Sequence, residues 1–466
     1  ISDQDSNQES NSQNSIKYCT EAIQIFRREK SDLNLCQALS HLAGCYIAKG
    51  DYIKAIDIAN ESIAFADSCQ GILEDKLPGK NNIDLIKWAD GYSLALHNKA
   101  MALYYIGRYQ ESLSISKTNL QLRLKTWGFK GRYSISAYNL AILETELGHY
   151  DDALKHMTDS YNIEIANGDH IDAAISRLCH IIDILLSKGE LFAARPNYGM
   201  LTNMLESIEN IKESSIYSEF LNIAVKYWLH VGDYQQAYEY LYESEAYNNG
   251  CCIDDDIHIQ MLLHEGSDSL AYQRATKIQT FYENTYGKSH LTSIANISNL
   301  VKTAFALGKW AQADSCAIEY VYGMKNQMKT MFPSMTSEDR ELFVNKYHNT
   351  LFQYMPSFFD STRRNGFAKT MYDLTLLHKG LLLRSEQELS TLVKQSNNQE
   401  ALKLHNDISN IIGQIKNAND GFEQDSLSYI ILQRQKRLQE LIPDFAKSSN
   451  HFDISWNDVK DNLQKG

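Results

Sequence analysis

A short phrase recurs along this chain at a spacing near forty residues, and it limits the fold more than any other feature of the sequence. An apolar helical stretch leads to a glycine, a large apolar residue follows two positions later, and a small residue stands five positions after the glycine. Six copies are clear: Gly50 with Tyr52 and Ala55, Gly107 with Tyr109 and Ser112, Gly148 with Tyr150 and Ala153, Gly189 with Leu191 and Ala194, Gly232 with Tyr234 and Ala237, and Gly308 with Trp310 and Ala313. From Gly107 to Gly232 successive glycines stand 41, 41 and 43 residues apart, and the 76 residues from Gly232 to Gly308 leave room for a degenerate copy that Gly266 fills poorly. The first interval, 57 residues, is lengthened by a polar insertion with Pro78, Gly79, Asn81 and Asn82 that reads as a loop. Self-similarity at this period is the signature of stacked repeats.

Each glycine is preceded by apolar residues at −11, −8, −7, −4 and −3, the stripe of one helical face. Four copies obey it throughout: Leu39-Leu42-Ala43-Tyr46-Ile47, Leu178-Ile181-Ile182-Leu185-Leu186, Leu221-Ala224-Val225-Trp228-Leu229 and Ile297-Leu300-Val301-Ala304-Phe305. The stripes before Gly107 and Gly148 are interrupted by Lys99 and Glu144. Glycine takes positive φ without steric cost and so closes the turn, while the small residue lets a second helix pack closely on the first. One such hairpin cannot bury its stripe alone, so neighbours must stack.

The chain is long, 466 residues, and single cores stop growing at roughly 250–300 residues, so several units or an elongated stack are expected. With 43% hydrophobic and 11% aromatic residues there is ample material to bury. A net charge of −13 argues against nucleic acid as a partner, because phosphate binding needs a basic stripe. No run is long and apolar enough to span a membrane; the densest, Ile181 to Leu186, contains Asp183. Eight cysteines without a C-x-x-C pair favour a reducing compartment, hence a cytoplasmic location, with an extracytoplasmic one after removal of an N-terminal signal as the alternative. Vicinal Cys251 and Cys252 read as ordinary thiols. The opening tract, residues 1–15, is rich in Ser, Asn, Gln and Asp and is expected to be a disordered tail.

The phrases Leu42-Ala43-Gly44-Cys45-Tyr46 … Gly50-Asp51-Tyr52 … Ala55 and Asn139-Leu140-Ala141 … Gly148-His149-Tyr150 … Ala153 resemble tetratricopeptide repeats. The period near 41, and Gly287-Lys288-Ser289-His290 ahead of Asn299-Leu300, resemble the longer-helix variant of kinesin light chains. The resemblance covers residues 16–325. It implies an all-α fold, a right-handed solenoid of about seven helical hairpins, and a protein or peptide ligand lying in the concave groove. HEAT-like solenoids are the alternative, disfavoured by the glycine–aromatic–alanine phrase.

After about Lys325 the phrase stops, and residues 326–466 read as a separate helical-hairpin segment. Met331-Phe332-Pro333 breaks the helix before Thr336, a candidate N-cap with Asp339 three residues on. Helical patterns then run over about 337–354, 366–394, 398–417, 424–442 and 453–464, separated by Pro356, Asn397, Asn419-Asp420-Gly421 and Pro443. The apolar spacing of Ala401 to Ile415 predicts a short coiled-coil pair with Leu427 to Leu441 within the chain, or a dimer contact; monomer and dimer both remain open. Three phrases resemble the segment between repeats and peptidase in bacterial proteins of the CHAT family, the caspase-like domain associated with tetratricopeptide repeats: Phe332-Pro333-Ser334-Met335-Thr336-Ser337-Glu338-Asp339-Arg340, Tyr372-Asp373 … Lys379-Gly380-Leu381-Leu382-Leu383, and Trp456-Asn457-Asp458-Val459 … Leu463. That resemblance implies a regulatory region for a peptidase lying beyond Gly466. A free-standing or sensor-linked scaffold is the alternative.

No catalytic constellation is legible, so no enzymatic activity and no cofactor are expected of this chain. Gly287-Lys288-Ser289 imitates the end of a phosphate-binding loop, but Tyr282 stands where its first glycine is needed. Asp254, Asp255, Asp256 and His258 have irregular spacing for a metal, and His41–Cys45 and Cys179–His180 lie on regular helix faces without an oxyanion hole. The groove is the expected working surface. Position −9 from each glycine lies roughly opposite the stripe and holds His41, Asn98, Asn139, His180, Ile223 and Asn299. Asparagine can bracket a ligand's peptide bond with one acceptor and two donors. Near it on the same face stand Met101, Tyr105, Tyr138 and Ile142, and further along Lys226, His230 and Lys302, which together predict a ligand with an apolar anchor at one end and acidic residues at the other.

Overall fold

The computed structural model describes residues 2–74, 83–127, 131–168, 171–247, 255–332, 335, 337–352, 354–415, individual positions from 427 to 442, and 455–463. Among the described residues there are helices and no strand. The fold is all-α and built from stacked hairpins. The glycine phrase is the turn of a hairpin each time it occurs: α2 (Asp32–Ala48) with α3 (Tyr52–Glu74), α4 (Ile83–Tyr105) with α5 (Tyr109–Trp127), α6 (Gly131–Glu146) with α7 (Tyr150–Asn167), α8 (Ile171–Ser187) with α9 (Leu191–Glu206), α10 (Ile216–Val231) with α11 (Tyr234–Tyr247), α12 (Asp255–Glu265) with α13 (Asp268–Tyr286), and α14 (Leu291–Ala306) with α15 (Trp310–Met331).

All seven phrase glycines, Gly266 included, have φ between 75° and 86°. At Gly189 the motif is seen whole: its amide bonds the Leu186 carbonyl at 2.9 Å and the Glu190 amide reaches back to Leu185 at 2.8 Å, using carbonyls that the helix end leaves open. The residue five after the glycine is Ala55, Ser112, Ala153, Ala194, Ala237, Ala271 or Ala313, each at most 1% exposed, where the second helix crosses the first. The weak copy at Gly266 was obscured by His258 at −8 and Asp268 at +2. Its helix still buries Ile259 and Leu262 at −7 and −4. At −4 of the third hairpin, Glu144 is fully buried and its Oε2 meets His156 Nδ1 at 2.8 Å, so the interruption of the stripe is a buried acid–imidazole pair.

Where composition led to the expectation of a tail over 1–15, the structure carries α1, Ser2–Glu29. The tract holds no proline or glycine, and Ile16, Cys19, Ala22, Ile23 and Phe26 pack against Leu35, Leu39 and Leu42 of α2. Once that stretch is held as helix, extension adds a hydrogen bond per residue at little cost.

The chain divides into two units, Ile1–Tyr105 with Glu111–His258, and Ile106–Gln110 with Ile259–Gly466. The division falls within the run of repeats, at 258, and not at 325 where the phrase stops. The core of the first unit is richest between α6 and α11, where Leu178, Ile182, Leu185, Leu201, Phe220, Leu221 and Tyr227 are buried. Here Tyr198 and Tyr227 stack at 4.0 Å and Trp228 Nε1 donates to the Tyr198 hydroxyl at 3.1 Å.

In the second unit the hairpin α14–α15 is followed by α16 (Ser337–Phe352), α17 (Met355–Thr362), α18 (Asn365–Gln395), α19 (Gln399–Ile415) and α20 (Trp456–Asn462). Pro356, read as a break, sits in the first turn of α17, where a missing N–H costs nothing. Residues 401–408 pack against Leu438 and Ile442, with Arg437–Glu400 and Arg434–Asp407 pairs alongside, so the predicted pairing of 401–415 with 427–441 forms within the chain. Two of the three quoted C-terminal phrases touch: Trp456 N donates to Asp373 Oδ1 at 2.6 Å and its indole meets the Tyr372 ring edge-on at 5.0 Å. In the third, Arg340 donates twice to the Phe332 carbonyl, at 3.1 and 2.8 Å. Asp339 accepts from the Gln110 amide at 2.8 Å, and its expected cap partner Thr336 lies outside the described residues.

Candidate functional site

At three places in the first unit the first helices of neighbouring hairpins meet through residues at −10, −9 or −6 from the glycine: Asn98 with Ser40, Tyr138 with His180, and Lys226 with Asp183. The residues expected to face a ligand therefore divide into those the fold has already used and those it leaves open.

Asn98 is used. It is buried, and its Nδ2 donates to the Ser40 carbonyl of α2 at 2.7 Å. Ser40 itself bonds the Ser62 hydroxyl at 2.9 Å and the Gly91 carbonyl at 3.0 Å, so this asparagine closes a polar seam between the first two hairpins. Asn299, in the second unit, is buried too, and its Nδ2 donates to Asn296 Oδ1 at 3.2 Å. Ile223 is buried among the stripe residues. These three do not present a free edge to a ligand. Lys302, also of the second unit, holds its ammonium 4.9 Å over the Tyr354 ring.

Asn139 is different. It is half-buried on α6, and its side chain makes no hydrogen bond among the described residues. Beside it Tyr138, half-buried, meets His180 Nε2 of α8 through its hydroxyl at 2.9 Å, the rings edge-on at 5.2 Å. The Arg177 guanidinium lies 4.2 Å over the Tyr138 ring, a cation–π contact strengthened by partial desolvation. One turn further along α8 and α10, Lys226 Nζ reaches Asp183 Oδ1 at 3.2 Å. Ile142 packs from the same side against the core cluster.

The electrostatics follow from burial. Burial lowers His180 below its ordinary value; the carboxylates of Asp183 and Glu219 pull it up, and Arg177 and Lys226 push it down. The neutral ring so favoured carries a lone pair on one nitrogen, suited to accept from the Tyr138 hydroxyl. Burial raises the Tyr138 phenol, with Glu219 adding to it. Two cations and two carboxylates thus surround one tyrosine–histidine pair, and the charge there balances. Arg177, Asp183 and Glu219 were missed by the −9 rule; they lie at −12, −6 and −13, on the same face one turn away.

At the α4 end of the first unit, Tyr105 is 39% exposed and stacks on Tyr52 at 4.8 Å, with Met101 half-buried one turn before it. Tyr104 donates to Glu146 Oε2 of α6 at 2.9 Å. His41 is exposed, as is His230, whose Nδ1 sits 2.8 Å from the Lys226 carbonyl.

The remaining chemical candidates have structural explanations. Gly287, with φ 89°, ends α13, the His290 ring accepts from the Thr292 amide at 3.2 Å, and Ser293 Oγ donates to the Gly287 carbonyl at 2.9 Å, so the Gly-Lys-Ser-His phrase is a helix stop and cap. Cys179 is buried, and its thiol is raised by burial and by Glu219 and Asp183, the reverse of an activated nucleophile. His258 is buried with Nε2 at 3.1 Å from Glu245. Cys251, Cys252 and Asp254 lie outside the described residues. Among the described residues no cluster of three or more metal-ligating side chains occurs, and no helix is long and apolar enough to cross a membrane.

Residues 92–164 match the family model described as tetratricopeptide repeat. Among solved structures the chain is similar to BtubC (BKLC) from P. vanneervenii, at 15% identity, covering 51% of this chain and 91% of that one with a TM-score of 0.41. A Podosopora anserina putative kinesin light chain with nearly identical TPR-like repeats is 15% identical over 45% of this chain and 93% of its own, with a TM-score of 0.36. The Rap conjugation gene regulator of the plasmid pLS20, solved in complex with the Phr* peptide, is 12% identical over 65% of this chain and 78% of its own, with a TM-score of 0.43. No curated protein matches the chain.

Proposed function

From the tetratricopeptide-repeat region that this chain carries, we propose that the first unit is a recognition module for an extended segment of a partner protein, and that the face made by α4, α6, α8 and α10 receives it. The observation that carries this reading is Asn139, an asparagine without a hydrogen-bond partner among the described residues, next to a fixed Tyr138–His180–Arg177 group. A rigid aromatic beside an unspent amide offers what a peptide needs: a platform for an apolar side chain and a bracket for one backbone unit. Tyr105, Met101 and Ile142 extend the apolar part. The acidic end expected of the ligand has less support, since Lys226 is already met by Asp183.

The test is selection of binders from a displayed library of random peptides on the intact chain. Peptides sharing an apolar anchor should be enriched, and their binding should be lost on Asn139→Arg and weakened about tenfold by Tyr138→Ala, a change on the order of 1.4 kcal/mol. Peptides that bind both variants as well as the parent would place recognition elsewhere.

At a finer level we propose that the chain turns over no substrate itself and that the second unit, through α16 to α20, couples recognition to an attached caspase-like peptidase. The three C-terminal phrases support this, two of them joined by the Trp456–Asp373 bond. Reading the coding sequence past Gly466 separates this from a scaffold without peptidase: a sheet-forming segment with a His and later a Cys is required.

A further inference from the structure

Cys19 on α1 and Cys45 on α2 belong to an antiparallel helical pair whose turn lies at Lys30 and Ser31. Ser31 is 12 residues from Cys19 and 14 from Cys45, so at about 1.5 Å per residue the two stand at nearly the same height, within one helical turn. Cys19 packs against the cluster of Ile23, Leu39 and Leu42, and Cys45 follows Leu42 by three positions, on the same face of α2. Burial raises the Cys45 thiol, and Cys19, near enough to act on it, raises it further. Both are half-buried, so a small reagent can reach them. The other described cysteines have different surroundings: Cys36 contacts the Ser62 hydroxyl at 3.2 Å, Cys179 is inside the core, and Cys316 stands beside Glu319.

We propose that Cys19 and Cys45 form a reversible redox site, a disulfide that staples the first helix of the repeat stack to the second. The oxidant is a low-molecular-weight disulfide. The Cys19 thiolate attacks a sulfur of that disulfide, making a mixed disulfide and releasing one small thiol; Cys45, held beside it, then gives up its proton, attacks the Cys19 sulfur of the mixed disulfide and releases the other. The dithiol loses two protons and two electrons to form one S–S bond, and the oxidant becomes two thiols. End helices of a solenoid are held by a neighbour on one side only and fray first. Closing the 25 residues between these cysteines into a ring restricts the unfolded hairpin and so holds α1 in place.

The full chain carrying Cys251→Ser and Cys252→Ser, so that the vicinal pair cannot contribute, is equilibrated with oxidised glutathione and analysed by intact mass, peptide mapping and thiol titration. The expected result is a mass lower by two hydrogens, a peptide joining Cys19 to Cys45, two fewer titratable thiols, slower amide exchange over the C-terminal half of α1, and full reversal by dithiothreitol. Adding Cys45→Ser should replace the cross-link with a glutathione adduct on Cys19. Stable glutathione adducts on both cysteines without the joined peptide, a link between two chains, or no reaction at either while Cys316 is modified would each overturn the proposal.

Discussion

Asn98 and Asn139 hold the same register position and the same side chain, yet the structure gives them different surroundings, and replacing each with alanine separates a side chain the fold uses from one proposed to meet a ligand. In Asn98→Ala the lost bond is the 2.7 Å contact from Nδ2 to the Ser40 carbonyl, at a side chain only 7% exposed. The carbonyl keeps its helical partner, so the cost is one buried hydrogen bond and a small void, about 1–2 kcal/mol. For a unit of this size that corresponds to a melting temperature lower by about 2–8 °C. In Asn139→Ala nothing in the chain is broken, and stability should stay within about 0.5 kcal/mol of the parent. Thermal unfolding followed by circular dichroism reads both, and the selected peptides read recognition. The reasoning fails if Asn139→Ala destabilises as much as Asn98→Ala, or if Asn98→Ala melts with the parent.

Ala194→Leu should destabilise the α8–α9 hairpin by about 1–3 kcal/mol in chemical unfolding, because Ala194 is fully buried at the crossing and no space receives the extra carbons. His180 has its folded-state value lowered from 6.5 by burial, so the unfolded chain binds more protons beneath that pH and stability should fall between about pH 7 and 5. His180→Gln should flatten that slope in urea titrations at several pH values; an unchanged slope would show that the proton uptake lies elsewhere. Asp373→Ala removes the acceptor of the Trp456 amide and should speed amide exchange across α20 several-fold, while exchange in α6 and α8 stays at the parent rate.

The hairpins were readable because their signal is steric and local: a glycine at positive φ, a small residue at the crossing and a stripe on one face. The Gly266 copy was harder because His258 and Asp268 replaced two expected apolar residues while the glycine and Ala271 kept the geometry. The start of helix α1 was not legible because its polar composition carries no stripe, and only the packed stretch from Ile16 to Phe26 does. The site was only half legible. Position −9 identifies a face, but whether a polar group on that face is available depends on the register between one hairpin and the next, which no single hairpin encodes. Nothing in the local sequence distinguishes Asn98, which bonds the Ser40 carbonyl, from Asn139.

That competition bears on how recognition works in a stack of this kind. A row of polar side chains on the first helices would cost free energy if half-desolvated and unpaired, so neighbours satisfy most of them: Asn98 with Ser40, Tyr104 with Glu146, Tyr138 with His180, Lys226 with Asp183. Each such bond also fixes the spacing between adjacent hairpins, and with it the position of the few residues left over. Tyr138 is held in this way, its hydroxyl and ring both fixed by α8, and it flanks Asn139. Rotamer freedom given up during folding is not lost again on binding, so under the proposed reading a tyrosine placed like this would contribute more affinity than one on a free surface. Breaking the Tyr138–His180 bond by Tyr138→Phe should therefore weaken peptide binding even though the hydroxyl touches no ligand, and His180→Phe should weaken it as much. Equal affinity in both variants would mean that Asn139 acts without its neighbours, and that the polar bonds between hairpins serve the fold alone.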